Sequence, residues 1–228
     1  MINEKIMIVV AHPDDEVLGC GGLLSKLKDK SKFRIVVIGE GSTCRKFQNN
    51  SQKKKAIKIR ETQCLKAMNF FKIKDVRFYN KKCGKINSIP IIEINKIIEK
   101  NINEFKPSII FTHSSNDLNQ DHKTIFDSVM ISSRPNIGNN FLKKIFSFEI
   151  LSSTEWKFQN IFEPNYFLSL NKKNIMEKNK ALSFYKSEIN RKPYPRSLFG
   201  IESLANYRGL QSANEYAEAY KLVRCFIK

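Results

Sequence analysis

Apolar runs alternate with stretches of helical periodicity along most of the chain, which is the pattern of an α/β protein. The first apolar runs, including IMIVV and RIVVIG, are continuous, as expected for parallel strands covered on both faces. The pattern predicts strands at residues 5–11, 33–39, 76–79, 108–113 and 145–151. It predicts helices at residues 17–28, 54–71, 90–103, 122–132 and 172–189. The segment EYAEAYKLVRCFI fits a helix or a strand.

These elements predict a mostly parallel, doubly wound sheet flanked by helices, in one domain over residues 1–228. A chain of 228 residues suits one such domain better than two, and 41% hydrophobic residues suffice for its core. No apolar run is long enough to span a membrane. The amino-terminal MINEKIMIVV leads directly into a strand and lacks the features of a signal peptide. We therefore expect a cytoplasmic protein.

The net charge of +18 has two interpretations. One is a nucleic-acid or phosphate partner. The other is a compositional bias, because the basic residues are scattered and the densest run, QKKKAIKIR, resembles the solvated face of a helix start. We favour the second interpretation and expect no specific nucleic-acid partner. An anionic small-molecule substrate is compatible with either interpretation.

The chain has five cysteines, an odd number, and no C-x-x-C pair. This pattern argues against a disulfide framework and against a cysteine zinc site. The thiols are therefore interpreted as buried or incidental.

The chain has only three histidines, and each lies at or just beyond the carboxyl end of a predicted strand. His12 follows the first strand, His113 ends the strand SIIFTH, and His122 comes nine residues later. Sites in open α/β sheets form outside the carboxyl ends of the strands, where the strand order reverses. If these two strands are neighbours, two distant segments converge at one place.

The stretch AHPDDE has a local explanation, because a proline and acids suit the first turn of a helix. That explanation does not account for the histidine. The i, i+3 spacing lets His12 and Asp15 face one ion, and His122 could add a third ligand. Two histidines, one carboxylate and an open water position form a hydrolytic zinc pattern. Asp14 could then act as a general base and Asp121 as an orienting acid, although the bare patterns are weak.

The stretches AHPDDE and HSSNDLNQDH together resemble the LmbE/PIG-L family of N-deacetylases. The resemblance continues through EILSSTEW, which is similar to the family's central strand, and PRSLFGIESLANYRGLQSANEYAEAY. It implies a Rossmann-like fold and a zinc-dependent hydrolase, with one zinc ion per chain. The implied reaction removes an acetyl group from an N-acetylglucosamine-type sugar or conjugate. The substrate would be free or linked to a nucleotide or lipid, in polysaccharide or glycoconjugate biosynthesis.

The resemblance also implies roles for individual residues. His12, Asp15 and His122 match the zinc ligands, Asp14 matches the catalytic base, and Asp121 matches the acid beside the last ligand. Some members have a histidine where this chain has Asn119. An asparagine can donate a hydrogen bond to an oxyanion but cannot protonate an amine. Protonation would then fall to Asp14 or, less readily, to His113.

Three further residues are candidates for substrate contact, each with a structural alternative. Arg60 resembles a family arginine near the sugar, but it also fits a basic helix face. His113 is either functional or a packing residue at the end of its strand. Arg196 lines the sugar site or belongs to a turn after Pro195.

Several functions compete with the deacetylase hypothesis. One is hydrolysis of another acyl amide, such as a thiol glycoside conjugate. A two-metal phosphoesterase is less favoured, because such sites need more bridging carboxylates and the chain has few histidines. A third is a basic nucleic-acid- or phosphate-binding protein without deacetylase activity. The sequence carries no indication of oligomeric state.

Overall fold

A computed structural model describes residues 1–135, 140–159 and 161–226, and within them it contains seven strands and six α-helices. The strands are β1 (Lys5–Val10), β2 (Lys32–Gly39), β3 (Val76–Lys81), β4 (Ile109–His113), β5 (Lys144–Phe148), β6 (Tyr166–Leu170) and β7 (Tyr216–Cys225). The helices are α1 (Asp15–Leu27), α2 (Asn50–Phe70), α3 (Ile91–Phe105), α4 (Gln120–Ser132), α5 (Lys172–Leu182) and α6 (Leu198–Leu210).

The strands form one sheet in the order β3-β2-β1-β4-β5-β7-β6. The five strands from β3 to β5 are parallel, and β7 and β6 continue the sheet antiparallel. The order reverses at β1, which pairs with β2 on one side and with β4 on the other. The predicted α/β fold with a mostly parallel sheet is confirmed, and β1 and β4 are neighbours as the prediction required.

Strand β1 is buried on both faces, which explains its continuous apolar sequence. Ile6, Ile8 and Val10 belong to the core cluster on the side of α1, α2 and α5, whereas Met7 and Val9 belong to the cluster on the side of α3 and α4. All five side chains have no exposed surface. Two hydrophobic layers therefore hold the strand that leads into AHPDDE.

The carboxyl-terminal part of the chain departs from the predictions. The helix predicted at 172–189 ends at Leu182, where the Ser183 hydroxyl donates to the Lys180 carbonyl, one of those left without a helical donor. The strand predicted at 145–151 ends at Phe148. The stretch EILSSTEW is not a central strand but a loop with a short 3-10 turn at Thr154–Trp156.

The ambiguous segment EYAEAYKLVRCFI forms β7, although Ile227 lies outside the described residues. Tertiary contacts decide in favour of a strand, because β7 fills the space between β5 and β6. Strand β6 and helix α6 were not predicted as separate elements. No helix in the described parts of the chain is both long enough and apolar enough to cross a bilayer.

Candidate active site

The three predicted metal ligands meet at the carboxyl edge of β1 and β4. His12 and Asp15 lie in the turn between β1 and α1, where the His12 backbone N–H donates to Asp15 Oδ2 at 2.9 Å. His122 reaches the same place from the first turn of α4. Asp15 Oδ2 lies 3.6 Å from His12 Nδ1 and 3.4 Å from His122 Nε2.

This arrangement fits a metal ion. One donor atom from each of His12, Asp15 and His122 lies within 4.8 Å of the other two, and all three residues are buried. Two imidazole nitrogens and one carboxylate oxygen form a donor set typical of hydrolytic zinc, with a fourth position left for water or substrate. Among the described residues, donor atoms of His12, Cys83 and Asp121 also lie within 4.8 Å of one another.

Two acids, Asp121 and Asp117, contact the ring nitrogens of His12 and His122 that do not face Asp15. His12 Nε2 lies 2.9 Å from Asp121 Oδ2, which leaves Nδ1 turned toward Asp15. His122 is held in the opposite sense, with Nδ1 at 3.2 Å from Asp117 Oδ2 and Nε2 turned toward Asp15. Such carboxylate–histidine pairs orient metal-binding imidazoles and raise their basicity.

Asp117 was missed in the sequence, although it lies in the same acidic stretch as Asp121. It has no exposed surface, and its carboxylate accepts hydrogen bonds from the hydroxyls of Ser153 and Thr154. Burial alone would raise its pKa, but His122 and these hydroxyls lower the pKa of Asp117 to about 2. Asp117 is therefore ionised and can act as a permanent partner for His122.

The acids raise the basicity of both imidazoles in the metal-free protein. Burial lowers the pKa of His12, but hydrogen bonds to Asp121 and Asp15 outweigh burial and raise it to about 10. Burial likewise lowers the pKa of His122, and Asp15 and Asp117 raise it to about 9. A proton and a metal ion would therefore compete for each of these two imidazoles.

Asp14 occupies a strained position beside the candidate ligands. Its φ angle is 120°, in a region that non-glycine residues rarely adopt. Its buried carboxylate lies between two guanidinium groups, with Oδ1 at 3.3 Å from Arg60 Nη2 and Oδ2 at 3.1 Å from Arg196 Nη1. Burial raises the pKa of Asp14, and the two arginines only partly oppose that shift.

The two arginines are held by further groups that sequence reasoning missed. Arg60 is buried and does not lie on a basic surface, and its Nη1 is 3.1 Å from Glu188 Oε1. Arg196 Nε donates to Ser152 Oγ at 3.0 Å. Glu188 and Ser152 lie far from Asp14 in sequence, so no local motif indicates them.

Asn119 and His113 have distinct positions in the second loop. Asn119 is the N-cap of α4, and its Oδ1 accepts from the Asp121 backbone N–H at 2.9 Å. This contact leaves the amide nitrogen as the end available to another group. His113 has no exposed surface, accepts from the Ala11 backbone N–H at 2.9 Å, and stacks on His122 at 3.9 Å between ring centroids.

Solved structures of similar fold include enzymes of two kinds. The N,N'-diacetylchitobiose deacetylase from Pyrococcus horikoshii, complexed with its inhibitor MPG, matches with a TM-score of 0.76 at 19% identity, over 96% of this chain and 84% of that protein. GalB from Pseudomonas putida KT2440, a 4-carboxy-2-hydroxymuconate hydratase, matches with a TM-score of 0.75 at 17% identity, over 99% of this chain and 97% of that protein. At such identities the likeness shows the fold alone.

The sequence itself points to one family. The uncharacterized deacetylase YaiS of Escherichia coli K12 is 25% identical over 188 residues, which cover 81% of this chain and 92% of that protein. The family model PIG-L, described as GlcNAc-PI de-N-acetylase, matches residues 7–132. Because this match spans more than half of the 228 residues, from β1 through the helix that carries His122, the chain belongs to the PIG-L deacetylase family.

Proposed function

We propose that this protein is a zinc-dependent N-deacetylase that hydrolyses the acetamide of an N-acetylglucosamine-type sugar or sugar conjugate. The observation that carries the proposal is the convergence of His12, Asp15 and His122 beside the buried carboxylate of Asp14. Membership of a deacetylase family supports the choice of an amide as the bond that is broken.

In this proposal, His12 Nδ1, His122 Nε2 and an oxygen of Asp15 hold one zinc ion. Zinc bound there would polarise an acyl oxygen and make a water molecule more acidic. Asp121 and Asp117 keep each imidazole in the orientation that presents the correct nitrogen.

Asp14 is the proposed proton carrier. One of its carboxylate oxygens takes a proton from the attacking water and then returns that proton to the departing amine nitrogen. A pKa raised by burial suits both roles, because the group must accept and release a proton near neutral pH. Arg60 and Arg196 orient the carboxylate. The proposal gives the Asn119 amide N–H the role of donor to the developing oxyanion, because Asn119 Oδ1 is already engaged by the Asp121 N–H.

His113 is assigned a packing role and not a contact with substrate. Its ring is enclosed, and both its stacking on His122 and its hydrogen bond from Ala11 support a packing role behind the ligands. Arg196 remains a proposed substrate-binding residue. An anionic sugar carrier such as a nucleotide diphosphate would complement the net charge of +18.

We infer that two exposed aromatic side chains, Trp156 and Tyr194, form a rim of the site that suits a carbohydrate substrate. Trp156 is 40% exposed and Tyr194 is 39% exposed, and their rings meet edge to face at 5.8 Å between centroids. Trp156 lies two residues after Thr154, which holds Asp117, and Tyr194 lies two residues before Arg196, which holds Asp14. Exposed aromatic faces with polar neighbours suit the apolar face of a sugar ring.

The test is acetate release from a panel of N-acetylhexosamines, N-acetylated disaccharides and nucleotide-linked N-acetyl sugars. Wild type and Asp14→Ala are compared, each zinc-loaded and each treated with chelator. Release that requires both zinc and Asp14 supports the proposal, and the best substrate identifies the carrier.

Two results would contradict the proposal in different ways. No release by protein that holds stoichiometric zinc would exclude acetyl sugars and redirect the search to other acyl amides or to hydration of unsaturated acids. Failure to bind zinc would remove the central inference from His12, Asp15 and His122.

A further inference from the structure

Two cysteines that are distant in sequence meet beside the candidate metal site. Cys44 lies in the loop after β2 and Cys83 in the loop after β3, and their Sγ atoms are 3.0 Å apart. Cys44 is exposed and Cys83 is partly buried, whereas Cys20 and Cys64 are enclosed in the core. The spacing of the cysteines in the sequence gives no indication of this pair.

A buried carboxylate holds the two cysteine loops together. Glu40, the first residue after β2, is 2% exposed. It accepts hydrogen bonds from the Ser42 backbone N–H at 2.6 Å and the Cys83 backbone N–H at 2.9 Å. It also accepts from the Thr43 backbone N–H at 3.0 Å, one residue before Cys44. The contact between the sulfur atoms is therefore a built feature of the fold.

The pair borders the group that positions His12. Cys83 precedes Gly84, whose backbone N–H donates to Asp121 Oδ2 at 2.6 Å. Cys83 Sγ also lies within 4.8 Å of donor atoms of His12 and Asp121. A covalent change at Cys83 would therefore occur one residue away from a contact that orients a proposed zinc ligand.

We propose that Cys44 and Cys83 form a redox-active dithiol that is converted reversibly to an intrachain disulfide by a small-molecule disulfide. This proposal does not depend on the deacetylase function. The disulfide would leave the three proposed zinc ligands in place, because none of them is a cysteine.

The reaction proceeds by two exchange steps. The more exposed Cys44 loses its proton to solvent, and its sulfur attacks one sulfur of the oxidant RSSR, forming a mixed disulfide and releasing RS⁻, which takes up a proton. Cys83 then loses its proton and attacks Cys44 Sγ, which releases the second RSH. Two S–H bonds and one RS–SR bond break, one protein disulfide and two RSH form, and the two electrons pass from the cysteines to the oxidant.

The separation of the sulfur atoms favours a disulfide over a second metal site. Two thiolates on one tetrahedral zinc, each about 2.3 Å from the ion, lie about 3.8 Å apart. The observed 3.0 Å between Cys44 and Cys83 is shorter than that separation. Binding of a soft metal by these two thiols is the alternative to a disulfide, and the experiment below is designed to detect it.

The experiment exposes the reduced full-length protein to mixtures of glutathione and glutathione disulfide. The remaining thiols are labelled under native conditions and the products are analysed by intact mass and peptide mapping. The three accessible cysteines are Cys44, Cys83 and Cys225. We expect the number of labelled thiols to fall from three to one and the mass of the unlabelled protein to fall by two hydrogen atoms. One linked peptide should contain Cys44 and Cys83. A thiol reductant should reverse all three changes.

Matched serine variants test the assignment. Cys83→Ser should stop at a mixed disulfide on Cys44, whereas Cys225→Ser should form the intrachain disulfide as wild type does. Circular dichroism of each variant checks that its fold is retained.

Three results would overturn the proposal. The first is a stable glutathione adduct on Cys44 in wild type without a cross-link. The second is a cross-link through Cys225. The third is a reduced protein that resists cross-linking but binds cadmium with a thiolate absorption band that Cys83→Ser removes, which would identify a metal site instead.

Discussion

The two loops that supply the proposed zinc ligands are built differently. The backbone of the loop between β1 and α1 is fixed by adjacent side chains, because the His12 N–H donates to Asp15 and the Asp14 N–H donates to Glu16, although the Asp14 carboxylate also reaches Arg60 and Arg196. The loop between β4 and α4 depends on remote groups, because Asp117 is held by hydroxyls from the segment after β5. The first loop can be recognised in the sequence from a few adjacent residues, whereas the partners that fix the second loop are visible only in the folded structure.

The largest expected effect comes from the first loop. Asp14→Asn should lower kcat by roughly 10²- to 10⁴-fold, because the side chain can no longer accept and return a proton. Zinc content should stay at one ion per chain, since Asp14 is not a proposed ligand. Acetate release and metal analysis of the same sample check both expectations.

Asp29→Asn is the matched control for that substitution, because Asp29 is an exposed carboxylate paired with Lys72 away from the site. Its activity should equal that of wild type. Equal losses in Asp14→Asn and Asp29→Asn would remove Asp14 from the mechanism.

The pH dependence of zinc binding draws on both loops. His12 has a pKa of about 10 and His122 a pKa of about 9 in the metal-free protein, so both rings carry an extra proton at neutral pH. Zinc must displace these protons, so its affinity should rise with pH by up to about 100-fold per pH unit until the pH passes about 9. Calorimetry in buffers of different ionisation enthalpy should detect two released protons. A zinc affinity independent of pH between about 6 and 8 would contradict this charge state.

Substitution of the orienting acids tests the histidine of each loop, because Asp121 contacts His12 of the first loop and Asp117 contacts His122, which follows the second. Asp117→Asn and Asp121→Asn should each weaken zinc binding by about 10- to 100-fold, measured by competition with a chelator. Both substitutions should also lower the melting temperature, because both carboxylates are buried and hold remote groups: Asp117 accepts from the hydroxyls of Ser153 and Thr154, and Asp121 accepts from the backbone N–H groups of Gly84 and Ile86. Unchanged zinc affinity in either variant would remove that acid from the orientation of its histidine.

The smallest expected effect lies in the segment that supports the second loop. Trp156→Ala should raise KM a few-fold with little change in kcat, because the lost stacking of about 1 kcal/mol lies away from the reacting bond. Exposed Phe158, which is 87% accessible, gives the matched control Phe158→Ala. Equal KM values for Trp156→Ala and wild type would remove the aromatic rim from substrate binding.

Much of the site's placement follows from sequence. Continuous apolar runs identified β1 and β4, and the position of histidines at their ends predicted that His12, Asp15 and His122 would converge, as they do in the structure. This inference works because the carboxyl ends of neighbouring parallel strands must share one edge. The parallel part of the sheet can therefore be predicted from the sequence.

The remaining features depend on contacts across long sequence distances. Glu188 reaches Arg60 from well over a hundred residues away, and Cys83 meets Cys44 because its backbone N–H donates to Glu40, in the loop that carries Cys44. Strand β7 has a sequence compatible with a helix, and its place between β5 and β6 determines its conformation. Local propensity carries no information about such partners.

The unusual backbone angle at Asp14 has a consequence for how the protein responds to heat. A φ of 120° is maintained by the packing around the first turn of α1 and by two arginines, against the residue's own preference. Modest warming that loosens this neighbourhood would let the backbone relax while the sheet is still intact. The proposed deacetylase activity would then be lost at a lower temperature than the circular dichroism signal of the fold.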